Sequence, residues 1–268
     1  MFYLASYYIY MVESMANSAE DYLIDSLQFK IPPGASYVND RRTVSYFTAG
    51  SNIYTSNGGT KVIRINLTSD GWLDPGSIRL HYTLVNTDST ATNYLRTIGG
   101  PWSFFRRARC LIGGALVDDI DYYNRVHEMM HILSTNNNRD NDDVEGFGYR
   151  WDSKDNYQYQ DTAHLPGLVS AGRSNACFKP LFGLFSQSKF IPLAWCPLTL
   201  EFEIVSGATD AVVTPTAGGV FSASNTSTSW QIEDVRIIAD IVTLDNGLQN
   251  SYAEHVLSGK TLPINYGT

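Results

Sequence analysis

The chain has 268 residues, of which 43% are hydrophobic, 13% are aromatic and only 17% are charged, and its formal net charge is -8 at pH 7. This length is enough for a stable core without disulfide bonds or metal ions, and the three cysteines have neither the number nor the spacing of a disulfide framework or a zinc ribbon. The acidic balance disfavours sequence-independent binding of nucleic acid, which depends on Lys and Arg that neutralise phosphates.

The first 25 residues precede the alternating patterns and are predicted to form an N-terminal arm. Residues 1–12 are apolar and rich in Tyr, but no Lys or Arg occurs before Lys30, so the basic region of a secretory signal is missing. The apolar stretch is also too short to span a bilayer. We therefore predict no membrane span and folding in a reducing compartment.

Strict alternation of apolar and polar residues within residues 26–246 predicts β-strands with one buried face. The alternating runs cover residues 27–31, 63–67, 78–84 and 198–204, and residues 230–244 are rich in β-branched side chains. Two apolar arms flank Gly113-Gly114, which predicts a hairpin with a two-residue turn. Seven or more strands separated by turn residues predict an all-β sandwich in a single domain.

Two clusters of arginine lie at the ends of these predicted strands. One is Arg41-Arg42 and the other is Arg106-Arg107 with Arg109. Two or three arginines at a strand end are typical of ion pairs or solvated edges, so we predict no specific contact with nucleic acid.

One segment, residues 120–133, breaks the two-residue period and predicts an amphipathic helix. At about 100° per residue its apolar side chains fall within one arc. Asp118 and Asp119 precede it and are predicted to provide the N-cap and a favourable charge in the first turn. The arc comprises Tyr122, Tyr123, Val126, Met129, Met130 and Leu133.

The same helix contains the sequence HEMMH, a match to the H-E-x-x-H pattern of zinc hydrolases. In that pattern His127 and His131 would bind zinc and Glu128 would be the general base. The two histidines fall at the margin of the apolar arc and Glu128 falls on the polar side, where solvated residues belong. We therefore predict an ordinary surface helix and keep a zinc metallohydrolase as an alternative.

The pattern does not specify a third zinc ligand. The extended motif would need Gly at position 134 and His at position 137, where the chain has Ser134 and Asn137. Glu145 and His164 are the other available donors, and both lie in a polar stretch.

That polar stretch, residues 134–176, is rich in Asn, Asp and Gly and is longer than a normal connection, which predicts an interaction loop. Its Tyr157 and Tyr159 could stack on sugars, so a glycan-binding module such as a fibre head or lectin is a second alternative. A further helix is predicted after Leu244, ending at Ser258-Gly259. Residues 261–268 begin a new apolar-polar pattern.

Three stretches together resemble the major capsid proteins of the double jelly-roll lineage, which includes Polinton-type transposons, virophages and large nucleocytoplasmic DNA viruses. They are residues 71–75 (GWLDP) leading into the strand 77–85, residues 99–109 (GGPW through FFRRAR) leading through the hairpin to the helix, and residues 184–205, with LFSQ, FIPL and the strand after Cys196.

The resemblance implies an antiparallel eight-stranded jelly roll over residues 26–246, and a linker helix with the start of a second jelly roll over residues 247–268. It implies a virion protein that forms homotrimers and contacts other capsid subunits in an icosahedral shell. It carries over no catalytic residue, metal or cofactor. We expect aromatic anchors at the subunit interface among Trp102, Phe104, Phe105, Tyr149, Trp151 and Tyr159.

Overall fold

The computed structural model describes residues 37–134, 167–216 and 224–267. Within these ranges, eight strands have six residues or more, and five further strands have two residues each. The described residues from Val38 onward belong to one compact unit. In chain order the eight long strands are β1 (Val38–Phe47), β2 (Val62–Leu67), β3 (Arg79–Asn86), β4 (Phe105–Ile112), β5 (Ala115–Asp121), β6 (Arg173–Phe178), β7 (Leu198–Ile204) and β8 (Trp230–Leu244).

The long strands pair in a nested antiparallel order. The first pairs with the last, β2 with β7, β3 with β6, and β4 with β5. Pairing of β8 with β3 and of β7 with β4 completes two sheets, in the orders β1-β8-β3-β6 and β2-β7-β4-β5. This is the pairing of an eight-stranded jelly roll, so the predicted fold class is confirmed.

Alternation along each strand places one face of each sheet in the core. In β2, for example, Ile63, Ile65 and Leu67 are fully buried, and the residues between them are exposed. Aromatic rings from both sheets meet inside, where Phe105 contacts Tyr82 at 5.7 Å and Phe202 at 5.5 Å between ring centroids. The predicted strand at residues 27–31 lies outside the described residues.

The predicted glycine hairpin is confirmed, but the predicted helix start is wrong. Gly113 and Gly114 have φ angles of 56° and 85°, the left-handed conformation that this two-residue turn requires. The following strand β5 continues through the two aspartates that were predicted to cap the helix, because Asp119 forms two hydrogen bonds with Arg107 on β4. The helix α1 (Tyr123–Leu133) therefore begins after Tyr122, its N-cap.

The sandwich has two ends that differ in what covers them. Strand β4 runs from a 3-10 turn, Pro101–Phe104, to the glycine hairpin, and α1 packs beside that turn. We call this the α1 end. At the opposite end, the helix α2 (Asn246–Leu257) packs beside the short strand Trp72–Leu73. We call this the α2 end; the predicted second helix is confirmed and stops at Gly259, whose φ is 79°.

The end of the polar stretch differs from expectation, and the C-terminal residues pack on this domain. The end of the predicted long loop is a strand, β6, because Ala176 and Phe178 alternate into the core while their neighbours face outward. At the C-terminal end, Leu262, Ile264 and Tyr266 alternate toward the apolar clusters of this same domain. Whether a second jelly roll follows stays a prediction. No helix of the described ranges is long and apolar enough to cross a membrane.

Candidate functional site

Helix α1 is held against Trp102, which is buried in the 3-10 turn at the α1 end. The imidazole of His127 stacks on the indole, with ring centroids 4.0 Å apart and an interplanar angle of 16°. The edge of Phe178 contacts the same imidazole at 5.7 Å. His127, which the sequence placed at the margin of the apolar arc, is thus part of the packing between helix and sandwich.

Glu128 binds the same tryptophan at the N–H of its indole ring. Its Oε2 accepts a 2.7 Å hydrogen bond from the indole N–H of Trp102 and a 3.3 Å bond from the backbone N–H of Gly100. A Cβ at Gly99 would lie only 2.5 Å from this oxygen, so a side chain at this position would displace the carboxylate. The carboxylate that a zinc hydrolase would use as its base is therefore engaged in holding the turn.

The histidines of the motif are arranged around the tryptophan. Burial lowers the pKa of His127 to about 4, so this imidazole is neutral at pH 7. Its Nε2 lies 3.4 Å from the backbone oxygen of Lys179. The imidazole of His131 also contacts the indole of Trp102, with ring centroids 5.0 Å apart and an interplanar angle of 55°. Among the residues that the structure describes, no three His, Cys, Asp or Glu side chains form a group that could hold a metal ion. Glu145 and His164 lie outside those residues.

The apolar arc of α1 faces mostly outward, contrary to what amphipathicity suggests. Tyr123 is buried, but Met129 is 50% exposed, Met130 48% and Leu133 73%. The flat indole of Trp102 accommodates a stacked imidazole, and this contact turns the polar margin of the helix inward. An apolar surface results at the α1 end.

This surface is the wall of an open groove of about 480 Å³ between α1 and the segment before the 3-10 turn. Ile98 on one side is 64% exposed, and Ile132 on the helix is 58% exposed. Sequence reasoning missed Ile98 and Ile132. Ile98 lies outside the helix and Ile132 falls outside the predicted apolar arc, so that arc gave no signal for either residue.

Most polar groups in the groove bind their own chain. Ser103 donates its hydroxyl to Gly100 O at 2.7 Å, and Asn124 donates to Ser103 O at 3.3 Å. Asp210 accepts from the backbone of Gly207 at 3.0 Å. The remaining charged group is Arg125, whose guanidinium lies 5.3 Å from the ring centre of Tyr122.

The aromatic residues predicted at the subunit interface divide into two groups. Trp102, Phe104 and Phe105 are 4%, 0% and 0% exposed, in the core of this chain. A side chain with almost no accessible surface in the single chain cannot lose surface to a partner, so these three are not suited to be anchors. Tyr149, Trp151 and Tyr159 lie outside the described residues and stay predictions.

The arginine clusters form ion pairs within the chain, as predicted. Arg41 contacts Asp74 at 2.5 Å and Asp240 at 3.0 Å, and Arg109 contacts the buried carboxylate of Glu201 at 2.9 Å. These guanidinium groups have carboxylate partners at the surface of the sheets.

The fold brings together the three stretches on which the sequence resemblance depends. Leu193 donates its backbone N–H to Gly71 O at 3.3 Å, and Ile191 pairs with Leu73. The glycine hairpin joins them, since Gly113 donates to Pro197 O at 2.9 Å. Segments far apart in sequence thus form one contact region at the α2 end.

No protein-family model and no curated protein matches this sequence. Solved structures do match. In fold, the chain is similar to viral capsid proteins. The matches include PBCV-1 VP54 fitted into a reconstruction of the virophage Sputnik (14% identity, 84% of this chain, 48% of that chain, TM-score 0.49). They also include the Sputnik virophage structure (9% identity, 82% of this chain, 51% of that chain, TM-score 0.49). A third match is the Faustovirus major capsid protein (9% identity, 87% of this chain, 59% of that chain, TM-score 0.46).

The chain therefore spans about half the length of the structures that it matches. At these identities the likeness concerns the fold.

Proposed function

We propose that this chain is a structural subunit of a virus shell, that it associates with itself as trimers, and that it acts in the virion and not as an enzyme. The observation that carries this proposal is the nested eight-stranded jelly roll, an architecture used by capsid and lectin domains. The stretches that resemble major capsid proteins form part of that architecture and contact one another within it.

The apolar surface at the α1 end supports self-association. The jelly roll closes its core without Ile98, Met129, Ile132 and Leu133, which remain exposed. Contiguous apolar surface of this kind marks interaction sites on soluble proteins. Burying these four half-exposed side chains is worth about 3–6 kcal/mol, at the lower end of what association costs. A head-to-tail dimer makes one such contact and bears the cost of one association step. A closed ring of three subunits makes three contacts and bears the cost of two steps, which favours a trimer over an isolated dimer.

The two alternatives make different demands on the chain. A zinc hydrolase needs Glu128 and His127 free, and both are engaged with Trp102. A glycan-binding module would use Tyr157 and Tyr159, which lie outside the described residues. Apart from the jelly roll itself, which lectin domains share, no observation in the described ranges favours either alternative.

Sedimentation velocity and negative-stain imaging of the purified full chain over a range of concentrations test the proposal. We expect trimers and larger assemblies that increase with concentration. Monomer at every concentration would contradict a shell function. Stoichiometric zinc that is lost in His127→Ala would support the hydrolase instead, and glycan binding without self-association would support the glycan-binding module.

A further inference from the structure

We infer that residues 260–267 form a strap that opens and closes as one unit over a flank of the sandwich, with its hinge at Gly259. The strap follows α2 and contains neither helix nor strand. The flank lies between β5, the edge strand of one sheet, and the turn Gly183–Ser186, which follows the edge strand β6 of the other sheet. The inference does not depend on the proposed function, because it concerns the single chain.

Asp118 marks the gap in this flank. It pairs with Cys110 on β4, whose side chain is fully buried, and paired residues lie on the same face of a sheet. Asp118 therefore faces the interior at the margin of the sandwich. Its Oδ2 accepts a 3.4 Å hydrogen bond from the backbone N–H of Gly183, which connects the two sides of the flank. One bond of this length leaves the rest of the gap for the strap to cover.

The strap covers the flank with alternate side chains. Leu262 packs against the small cluster at the α2 end, whereas Ile264 and Tyr266 pack against the main core. The hydroxyl of Tyr266 points at the backbone oxygen of Val117, 3.5 Å away. Val117 is the extra residue of a β-bulge in β5, so its position in the strand is unpaired. The strap thus closes over an irregular part of the sheet edge.

The backbone of the strap also approaches the turn on the other side of the flank. A Cβ at Gly183 would overlap the backbone oxygen of Gly267 in the strap. Gly183 does not have a left-handed φ angle, so its own conformation does not demand glycine. Glycine is needed at this position only while the strap is closed.

The attachment of the strap allows it to be released separately from the sandwich. Gly259, whose φ is 79°, turns the chain out of α2. Among the described residues, no hydrogen bond between backbone groups joins residues 261–267 to the sandwich. The exposed ammonium group of Lys189 donates to Pro263 O at 2.8 Å. A segment held by side chains, without a ladder of backbone bonds, opens at a lower free energy than the sheets.

Cys110 reports whether the strap is open. Its side chain has no accessible surface in the closed chain, and burial raises its pKa to about 12, so almost no reactive thiolate is present. Burial, and then the nearby Asp118 and Cys110, raise the pKa of Tyr266 in the strap. Release of Tyr266 therefore gives reagents access to this thiol. Cys177 and Cys196 are only partly buried and serve as internal controls.

Two matched substitutions test the strap in the full chain. Ile264→Asp and Asn265→Asp introduce the same charge at adjacent positions, but Ile264 packs against the core and Asn265 is exposed. In Ile264→Asp, trypsin cleavage after Lys260 and maleimide labelling of Cys110 should both become about tenfold faster or more. In Asn265→Asp, both rates should change by less than about twofold. Mass spectrometry of the products measures both rates, and labelling of Cys177 should be the same in both variants.

A second pair displaces the strap without changing its sequence. Gly183→Ala adds a methyl group where Gly267 lies in the closed strap. The control is Gly76→Ala in the adjacent 3-10 turn Pro75–Ser77, where the methyl group would meet only Asp74, at an ordinary distance of 3.4 Å. We expect the Gly183 variant to show the same two accelerations and the Gly76 variant to show neither.

Each outcome decides the inference. If Ile264→Asp and Gly183→Ala both keep the wild-type rates, the strap is not a releasable unit and the inference is overturned. If the labelling of Cys177 accelerates as much as that of Cys110, the sandwich opens as a whole, which also overturns it. If cleavage after Lys260 accelerates while Cys110 stays protected, the strap does not cover the flank. A monomeric wild type would contradict the proposed function and leave this result unchanged.

Discussion

The two ends of the sandwich attach their helices by the same kind of bond in different surroundings. At the α1 end, the indole N–H of Trp102 donates to Glu128 Oε2 at 2.7 Å. At the α2 end, the indole N–H of Trp72 donates to Gln249 Oε1 at 2.9 Å. Trp102 belongs to the main core, whereas Trp72 belongs to a small separate cluster with Val242 and Leu244.

This difference explains what each end leaves exposed. At the α2 end, Trp72 contacts Tyr252 at 5.1 Å and Trp195 at 5.7 Å, so aromatic rings of the strand, the helix and the loop pack together, and Leu257 at the end of the helix stays 86% exposed. At the α1 end, a stacked histidine and a carboxylate make the contact, and the apolar face of the helix stays outside. The partner surface, and not the apolar arc alone, decides which face of a helix is buried.

Replacing each tryptophan by alanine should give the largest change in the free energy of unfolding and the clearest contrast between the two ends. Trp102→Ala removes the stack on His127, the hydrogen bond that the indole N–H donates to Glu128 and the contact with Phe178. We expect it to lower the free energy of unfolding by about 3–5 kcal/mol, and Trp72→Ala to lower it by about 2 kcal/mol, since a small cluster relaxes more easily. Urea denaturation measures both. Equal losses would contradict the contrast between core and satellite cluster.

Hydrogen exchange would show where each loss acts. Amides of α1 should lose protection together with the strands in Trp102→Ala, because the helix is attached to the main core. In Trp72→Ala, exchange should increase mainly in α2. A variant in which α2 keeps its protection would show that Trp72 is not what holds this helix.

Acid should weaken the α1 end through His127. Burial lowers the pKa of this imidazole from 6.5 to about 4, so the unfolded chain takes up the proton first. Stability is complete above pH 6.5 and is lost as the pH falls toward 4, by up to about 3 kcal/mol. In urea denaturation at several pH values, His127→Phe should lose less stability than the wild type over this window. His255→Gln in α2 is the control and should behave as the wild type.

Local patterns in the sequence were enough for most strands of the sheets but not for β1, for β6 or for the start of helix α1. The apolar-polar alternation predicted β2, β3, β7 and β8 because it is visible in adjacent residues. The hairpin turn was predicted because it depends only on the two neighbouring glycines. The bond between Arg107 and Asp119 joins two strands and extends β5, which local capping rules do not include.

The candidate surface was harder to predict, for the same reason. Its exposure depends on Trp102, which lies 25 residues before His127 in the sequence but stacks on it in the fold. From the sequence, Trp102 was an interface candidate, His127 lay at the margin of the apolar arc and Glu128 lay on its polar side. The contact between Trp102 and His127 turns this margin of the helix toward the core and leaves Met129, Ile132 and Leu133 exposed.

Changing the charge of the side chain that accepts the indole hydrogen bond should give the smallest change in the free energy of unfolding. It isolates the contribution of the negative charge to the attachment of the helix. Glu128→Gln keeps an oxygen near the indole of Trp102 but removes the charge, and we expect a loss of about 1 kcal/mol, the usual difference between charged and neutral hydrogen bonds. Gln249→Glu makes the opposite change at the α2 end, where the gain from charge is offset by desolvation, and should alter stability by less than about 0.5 kcal/mol. Both follow from urea denaturation at pH 7. If Glu128→Gln costs nothing, the carboxylate holds α1 by shape alone, and the stacked imidazole of His127 then accounts for the attachment at that end.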